Sequence, residues 1–414
     1  MLETSPIRAV CLAKLSHLLQ SERYSRKVVS NYPSRVDRFL DYLERKGLTV
    51  YSVQPTEVDR YLKTLRMVRK QRGRLAKKGL RRGHRAAIHM LLRLFHERWP
   101  PTPAPVSEAE FLHRQLMAAY DAWLNEVHGI AGNTRCYRCA EAHRLLAWWA
   151  ERGLGNPLSR LSVSDLDAFL HWRRTHLSRG SVIVVVGSLR SILRYLHESG
   201  QAPVDLSAAI HGPRLYAFDG IPSTFRPEDV TQMLRSARAK HSRLGRSDYA
   251  ILTLLATCGL RAGELVALRL EDIDWRNELI RIRHTKTKTR SELPLLRKPA
   301  EAILAYLRHG RPQTERREVF LRTLAPYHPL SGPSPLYKII ARNLVDAHTI
   351  PPGKRGPHAL RHARAASLLH GAVPLKTIGD VLGHRSPTST MVYLKWATRE
   401  LREVALDLPA GAVS

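Results

Sequence analysis

The chain has 414 residues and carries 67 Lys and Arg against 36 Asp and Glu, a formal net charge of +31. That length allows two or three domains with their own cores, and the basic surplus, far above the ~2 to 8 charges that suffice for solubility, predicts a polyanionic partner. Four cysteines (Cys11, Cys136, Cys139, Cys258), no secretory signal and no apolar run of bilayer-spanning length argue against a disulfide scaffold or a membrane protein and for a reducing, cytoplasmic, nucleoid-associated setting.

Residues 35–47 have the pattern of an amphipathic helix ending at Gly47. Pro55-Thr-Glu-Val-Asp-Arg-Tyr-Leu then opens a short helix, and residues 88–99 make a closing apolar-periodic run. Ahead of that run, residues 63–85 hold eleven Lys and Arg and no acid. Arg72, Arg74, Lys77, Lys78, Arg81 and Arg82 are its candidate contacts to a nucleic-acid backbone, a kind of binding that weakens steeply with salt. Pro100-Pro101-Thr-Pro103-Ala-Pro105 is a stiff linker.

Beyond it, residues 143–153, 161–170 and 182–200 repeat the plan of helix ending at Gly, short acidic-started helix and closing helix, which points to a tandem duplication of one small helical domain. Cys136-Tyr-Arg-Cys139 lacks the second ligand pair of a structural zinc site and lies inside a helical pattern. Arg173, Arg174, His176 and Arg179 are a milder counterpart of the first basic segment, with Arg179 the candidate DNA contact. Both blocks could face one duplex. The expected organisation is a helical domain at 1–105, a second at 106–205, a linker at 206–224 with Pro213 and Pro222, and a third domain at 225–414. The linker would let the two halves close on DNA as a clamp.

In the third domain a buried helix stops at Gly259, and Arg261-Ala-Gly-Glu-Leu begins the next. Arg261 beside a helix N-terminus is well placed for a phosphate, with Glu264 one turn on to hold it. Residues 279–285 alternate apolar with basic, and Ser291-Glu-Leu-Pro-Leu follows a short polar turn, the pattern of a hairpin. Lys286, Lys288 and Arg290 have strand-like spacing at its tip. Any of them could enter a minor groove and deliver a proton, and spacing alone does not choose.

The last fifth of the chain carries the chemistry. His358 and Arg361 stand three apart on one face of an Ala- and Leu-rich helix that ends at Gly371. Pro374 opens a second helix with Gly383 as its left-handed cap, which puts His384 in a sharp corner. Ser386-Pro387 launches a third, bearing Tyr393. His358 and His362 at i, i+4 have metalloprotease spacing, but Ala359 stands where that chemistry needs a Glu. Residues 394–408 can form one more amphipathic helix.

With these residues assembled, the sequence resembles the tyrosine recombinases of the phage integrase family. The resemblance rests on Thr257-Cys-Gly-Leu-Arg-Ala-Gly-Glu-Leu265, the hairpin from Lys286 to Pro294, His358-x-x-Arg361, and Leu382-Gly-His384 with Tyr393 nine residues later, in the family's order. It implies a mainly α chain: two tandem helical DNA-binding domains, of which 1–105 is an extra core-binding-like copy, before a mixed α/β catalytic domain with a small antiparallel sheet. It selects Lys286 as the hairpin lysine. It further implies Tyr393 attacking a scissile phosphorus to give a 3′-phosphotyrosine and a free 5′-hydroxyl, Arg261 and Arg361 on the non-bridging oxygens, and His384 donating a hydrogen bond. Lys286 would protonate the leaving oxygen and His358 would assist at the tyrosine.

No cofactor or metal is expected, because one phosphodiester is exchanged for another. The partners implied are double-stranded DNA, three further copies of the chain on two DNA sites and, in some settings, accessory recombinases. A role in integration, excision or transposition of a mobile element is an analogy. Two other readings fit parts of the pattern: a type IB topoisomerase-like relaxing enzyme, and a non-catalytic DNA-binding regulator that would not need the nucleophile.

Overall fold

The computed structural model describes residues 6–65, 76–152, 157–175, 177–214, 223–284, 289–384 and 386–396. The chain divides into two compact units, one of residues 102–219 and one that joins residues 1–101 to residues 220–414. Among the described residues no helix is long and apolar enough to cross a membrane.

Residues 1–101 hold α1 (Pro6–Ser21), α2 (Arg26–Arg45), α3 (Pro55–Thr64) and α4 (Ala76–Phe95). On α2, Val36, Phe39, Leu40 and Leu43 recur at one-turn spacing and all four are buried, so the helix forms by covering one apolar stripe. The basic run was expected to precede the closing helix. From Ala76 onward it is part of that helix, because Ala, Leu, Lys and Arg are strong helix formers that outweigh Gly79 and Gly83. Within this unit Arg23 Nη1 donates to the Gln313 carbonyl at 2.9 Å, so the N-terminal helices touch the C-terminal part directly.

Residues 102–219 hold α5 (Glu108–Glu126), α6 (Gly132–Arg152), α7 (Val163–Arg174) and α8 (Arg179–Glu198). Serines start three of them. Ser107 accepts from the Glu110 N–H at 3.2 Å, Ser178 accepts from the Ser181 N–H at 3.3 Å, and Ser162 exchanges bonds with Asp165 as a capping box. Cys136 and Cys139 lie within α6. Burial, then the Asp121 carboxylate, push the Cys139 thiol up to about 11, which keeps it a thiol. The first four helices pair as α1–α2, α1–α4, α2–α4 and α3–α4, and this unit pairs its own as α5–α6, α5–α8, α6–α8 and α7–α8, the same scheme.

The C-terminal part is built on α10 (Arg243–Cys258), whose Ala250, Ile251, Leu252, Leu254 and Leu255 are all buried because other helices cover it on several sides. It packs against α9 (Pro227–Arg238), α12 (Arg297–His309) and α14 (Pro357–His370), and leads through Gly259 into the short α11 (Ala262–Val266). Strands β1 (Ile273–Asp274), β2 (Leu279–His284) and β3 (Thr289–Pro294) form one antiparallel sheet in the order β1-β2-β3. Ile282 pairs with Ser291 and His284 with Thr289, and Ile280, Ile282 and Leu293 face the core. Helix α13 (Ser334–Asp346) precedes α14. Then come α15 (Leu375–Leu382), α16 (Pro387–Met391) and a 3-10 turn at Val392–Trp396. The expectation of a mainly helical chain with a small antiparallel sheet holds.

Candidate active site

The site begins where α10 ends. Gly259 takes the left-handed conformation (φ +63°) that closes α10, and two residues later Arg261 occupies the N-cap of α11. Glu264, in the first turn of α11, accepts the Arg261 backbone N–H on Oε2 at 2.8 Å and the Arg261 guanidinium Nη1 on Oε1 at 2.7 Å. The same Oε1 lies 2.7 Å from Nδ1 of His284, at the end of β2. Burial pushes the Glu264 carboxyl up, but the hydrogen bonds from His284 and Arg261 outweigh it and hold the group below the usual carboxylate range. Glu264 is therefore an anion that fixes Arg261, and the second guanidinium nitrogen is left to bind elsewhere.

That nitrogen, Nη2, donates to the Gly383 carbonyl at 2.9 Å. Arg361, buried on α14, donates through Nη2 to the preceding carbonyl, that of Leu382, and through Nη1 to Gly259 at 2.8 Å. The last carbonyls of α15 have no helical partner of their own, so two arginines satisfy consecutive ones. One helix terminus thus holds both cations side by side, and the next residue is His384. Burial, then the neighbouring Arg261, pull the Arg361 guanidinium down to about 10, which still leaves it a cation at neutral pH.

His384 Nδ1 lies 2.8 Å from the Thr390 hydroxyl. Burial, then Arg361, Arg261 and His362, pull its pKa down to about 4, so the ring is neutral at pH 7. A proton donated by Thr390 to Nδ1 places the ring's own N–H on Nε2, where it is a donor. Tyr393 is only 2% exposed and packs among Ala365, Ile378 and Leu382. Its ring stacks on His384 (centroids 5.9 Å apart) and meets His362 edge-on at 5.6 Å, and its hydroxyl is hydrogen-bonded by Arg361. Burial raises the phenol above its ordinary pKa, while Arg361 and Arg261 work against that rise. A phenol, two guanidinium cations and a neutral imidazole donor converge here, groups suited to a nucleophile and an oxyanion on phosphorus. Among the described residues no group of three or more His, Cys, Asp and Glu side chains could hold a metal ion.

Residues 223–400 match the profile of the phage integrase family. A protein named integrase/recombinase y4rA, from Sinorhizobium fredii (strain NBRC 101917 / NGR234), is 32% identical over 90% of this chain and 88% of its own length. The chain belongs to the phage integrase family. Another relative from that strain, named integrase/recombinase y4gC, is 53% identical over 47% of the chain and the whole of its own length. Among solved structures the fold is similar to XerH recombinase on its palindromic difH substrate (TM-score 0.55, 19% identity, 70% of this chain and 83% of that one). It is likewise similar to a lambda integrase tetramer on a Holliday junction (TM-score 0.53, 16% identity, 75% and 86%).

In this tyrosine recombinase the structure brings Arg261, Glu264, Arg361, His384 and Tyr393 into one cluster. His358 stands exposed on α14 one turn before His362, their rings 5.6 Å apart, so His362 is the α14 imidazole seen against Tyr393. Burial, then His358 and Arg361, pull the His362 pKa down to about 4. Lys286 and Lys288 lie outside the described residues, as do Arg72 and Arg74. Lys77 and Lys78 lie on α4; Arg81 and Arg82 are exposed on the same helix, Arg179 is exposed at the start of α8, and Arg290 is exposed on β3. Arg173 of the second basic cluster instead grips buried Glu141 at 2.9 Å. Sequence reasoning passed over His284, His362 and Thr390. His362 shared a helix face with His358, a signal that suggested zinc. Thr390 sits one turn before Tyr393, and His284 reads as one more basic residue in an alternating strand.

Proposed function

We propose that this recombinase cuts and rejoins DNA at defined sites through Tyr393. The hydroxyl oxygen attacks the scissile phosphorus, the bond from phosphorus to the 5′-oxygen breaks, and a 3′-phosphotyrosine remains until a 5′-hydroxyl reverses the step. Arg261 and Arg361 take the non-bridging oxygens as their charge grows, and the His384 Nε2–H adds a neutral donor. The phenolic proton leaves toward the imidazoles of α14, with His358 at the solvent side. Lys286 supplies the proton that the 5′-oxygen needs. One phosphoester replaces another, so the reaction needs no energy source or cofactor. The observation that carries this reading is the seating of both guanidinium groups on consecutive carbonyls immediately before His384, with the Tyr393 hydroxyl bonded to one of them.

The basic face of α4 and the Arg179 end of α8 track the phosphate backbone, and the repeated helix-pairing scheme of α1–α4 and α5–α8 supports an origin by duplication of one DNA-binding domain. Lambda integrase forms a tetramer on a Holliday junction. By the same architecture this chain acts as four copies on two double-stranded sites, moving a mobile element, with accessory recombinases in some settings. The test is a nicked duplex that traps the covalent intermediate. The wild-type chain should become attached to DNA, with the phosphotyrosyl peptide mapping to Tyr393; attachment at another residue would overturn the assignment.

A further inference from the structure

We infer that His284 is a positioning residue for Arg261, acting through Glu264 and tying that pair to the turn end of the β2–β3 hairpin; this rests on the reading of Arg261 given above. His284 is 7% exposed. Its Nδ1 lies 2.7 Å from Glu264 Oε1 and 3.5 Å from Arg261 Nη1, and its Nε2 lies 2.8 Å from the Ser291 hydroxyl on β3. One nitrogen cannot both donate to Glu264 and accept from Arg261. The shorter contact takes the proton, so Nδ1–H donates to the carboxylate and Nε2 accepts from Ser291.

The geometry makes His284 a junction. Without it, Glu264 Oε1 would hold only the mobile end of an arginine. With it, that oxygen is pinned between a side chain on α11 and one on a paired strand. A third element bears on the same ring: a Cβ at Gly383 would come within 2.5 Å of His284 Cε1, so the residue whose carbonyl receives Arg261 Nη2 packs directly against the imidazole. His284 also pairs with Thr289 at the turn end of the hairpin, the two residues that flank the 285–288 connection. The ring therefore touches the carboxylate that aims Arg261, the glycine whose carbonyl receives it and the partner strand β3. Nothing in its surroundings brings it to Tyr393, which sets it apart from His362 and His384.

The two nitrogens can be separated by substitution. Asn places its amide nitrogen near the Nδ1 position and Gln places its own near Nε2. In single-turnover adduct formation on a nicked duplex, His284→Ala should be slower by about 10- to 100-fold, the range expected when a catalytic cation is misplaced by about an ångström. DNA affinity should stay near that of the wild type. His284→Asn should recover most of the rate and His284→Gln should not. A scissile methylphosphonate carries no charge for Arg261 to neutralise, so on that substrate the His284→Ala defect should shrink. The inference is overturned if His284→Ala forms adduct at the wild-type rate, if Gln rescues and Asn does not, or if the defect is equal on phosphate and methylphosphonate. Should the Ala variant fail to fold, the comparison of Asn with Gln decides alone. No adduct from the wild-type chain would instead refute the assignment of Tyr393.

Discussion

The Arg361 guanidinium donates to the Tyr393 hydroxyl while its Nη1 and Nη2 are committed to the carbonyls of Gly259 and Leu382. The arginine cannot follow the tyrosine, so the phenol is held at the cation that would meet the phosphate, and any movement is the tyrosine's. Tyr393→Phe keeps the ring that packs against Ala365, Ile378 and Leu382 and removes only the oxygen. Covalent protein–DNA adducts should disappear on a denaturing gel, with DNA affinity unchanged. Stability should fall by about 1.5–3 kcal/mol, the usual cost of losing a hydrogen bond to a buried charge, read as a lower denaturant midpoint. Persistent adducts in this variant would remove Tyr393 as nucleophile.

Gly383 is the tightest point of the site. It holds φ +63°, closes α15, offers its carbonyl to Arg261, and has the His284 ring 2.5 Å from where a Cβ would sit. Gly383→Ala therefore meets a backbone penalty of about 1–2 kcal/mol and a steric one besides. We expect the variant to lose both stability and cleavage, with Arg261 displaced. Gly47 has φ +65° and open space around its Cβ position, so Gly47→Ala should show the backbone penalty alone and leave cleavage intact. Equal cleavage by the Gly383 variant and the wild type would contradict the crowding described.

Much of the C-terminal part was legible because its helices are punctuated locally. Pro357, Pro374, Gly383 and Ser386-Pro387 mark starts and stops by their own backbone preferences, and side-chain spacing between them follows from helical geometry; Gly371 ends α14 at an ordinary φ of −80°, and the left-handed residue there is Ala372. The hairpin was legible for a similar reason, its Ile280 and Ile282 alternating with Arg281 and Arg283. What was hidden depends on tertiary contact. The bond between His284 and Glu264 joins residues twenty apart on different elements, and no periodicity announces it. Helices α1 and α5 were not marked out either. The basic run hid the start of α4 because a dense run of charge was taken to lie ahead of the helix, whereas Lys and Arg also propagate helix once Ala76 has started one.

Exposed Arg81 and Arg82 on α4 give the DNA-binding reading a number to test. Each phosphate neutralised contributes about 0.9 to the slope of log affinity against log salt concentration on duplex DNA. The double variant Arg81→Ala, Arg82→Ala should lower that slope by up to about 2 and weaken binding to specific and non-specific duplexes alike. Fluorescence anisotropy over a salt series reads both. An unchanged slope would take α4 off the DNA.

Three imidazoles, buried His84 and half-buried His362 and His384, are each pulled down to about 4, in every case first by burial and then by neighbouring basic side chains. In the unfolded chain they titrate near ~6.5. Between those values the unfolded state binds protons that the folded state refuses, so folding stability is complete above pH ~6.5 and is lost as pH falls toward 4. At pH 5.5 each such histidine should cost about 1 kcal/mol. The denaturant midpoint should therefore drop between pH 7.5 and 5.5, and His84→Asn, which cannot titrate and lies away from the cluster around Tyr393, should remove about a third of the drop attributable to these three groups. Cleavage carries the same sign for a separate reason: protonating His384 adds a third cation beside Arg261 and Arg361 and reverses the Nδ1 bond with Thr390, so adduct formation per folded molecule should hold to about pH 5 and fall to half near pH 4. A rate per folded molecule that still holds at pH 4 would show that the charge of His384 does not matter to the reaction.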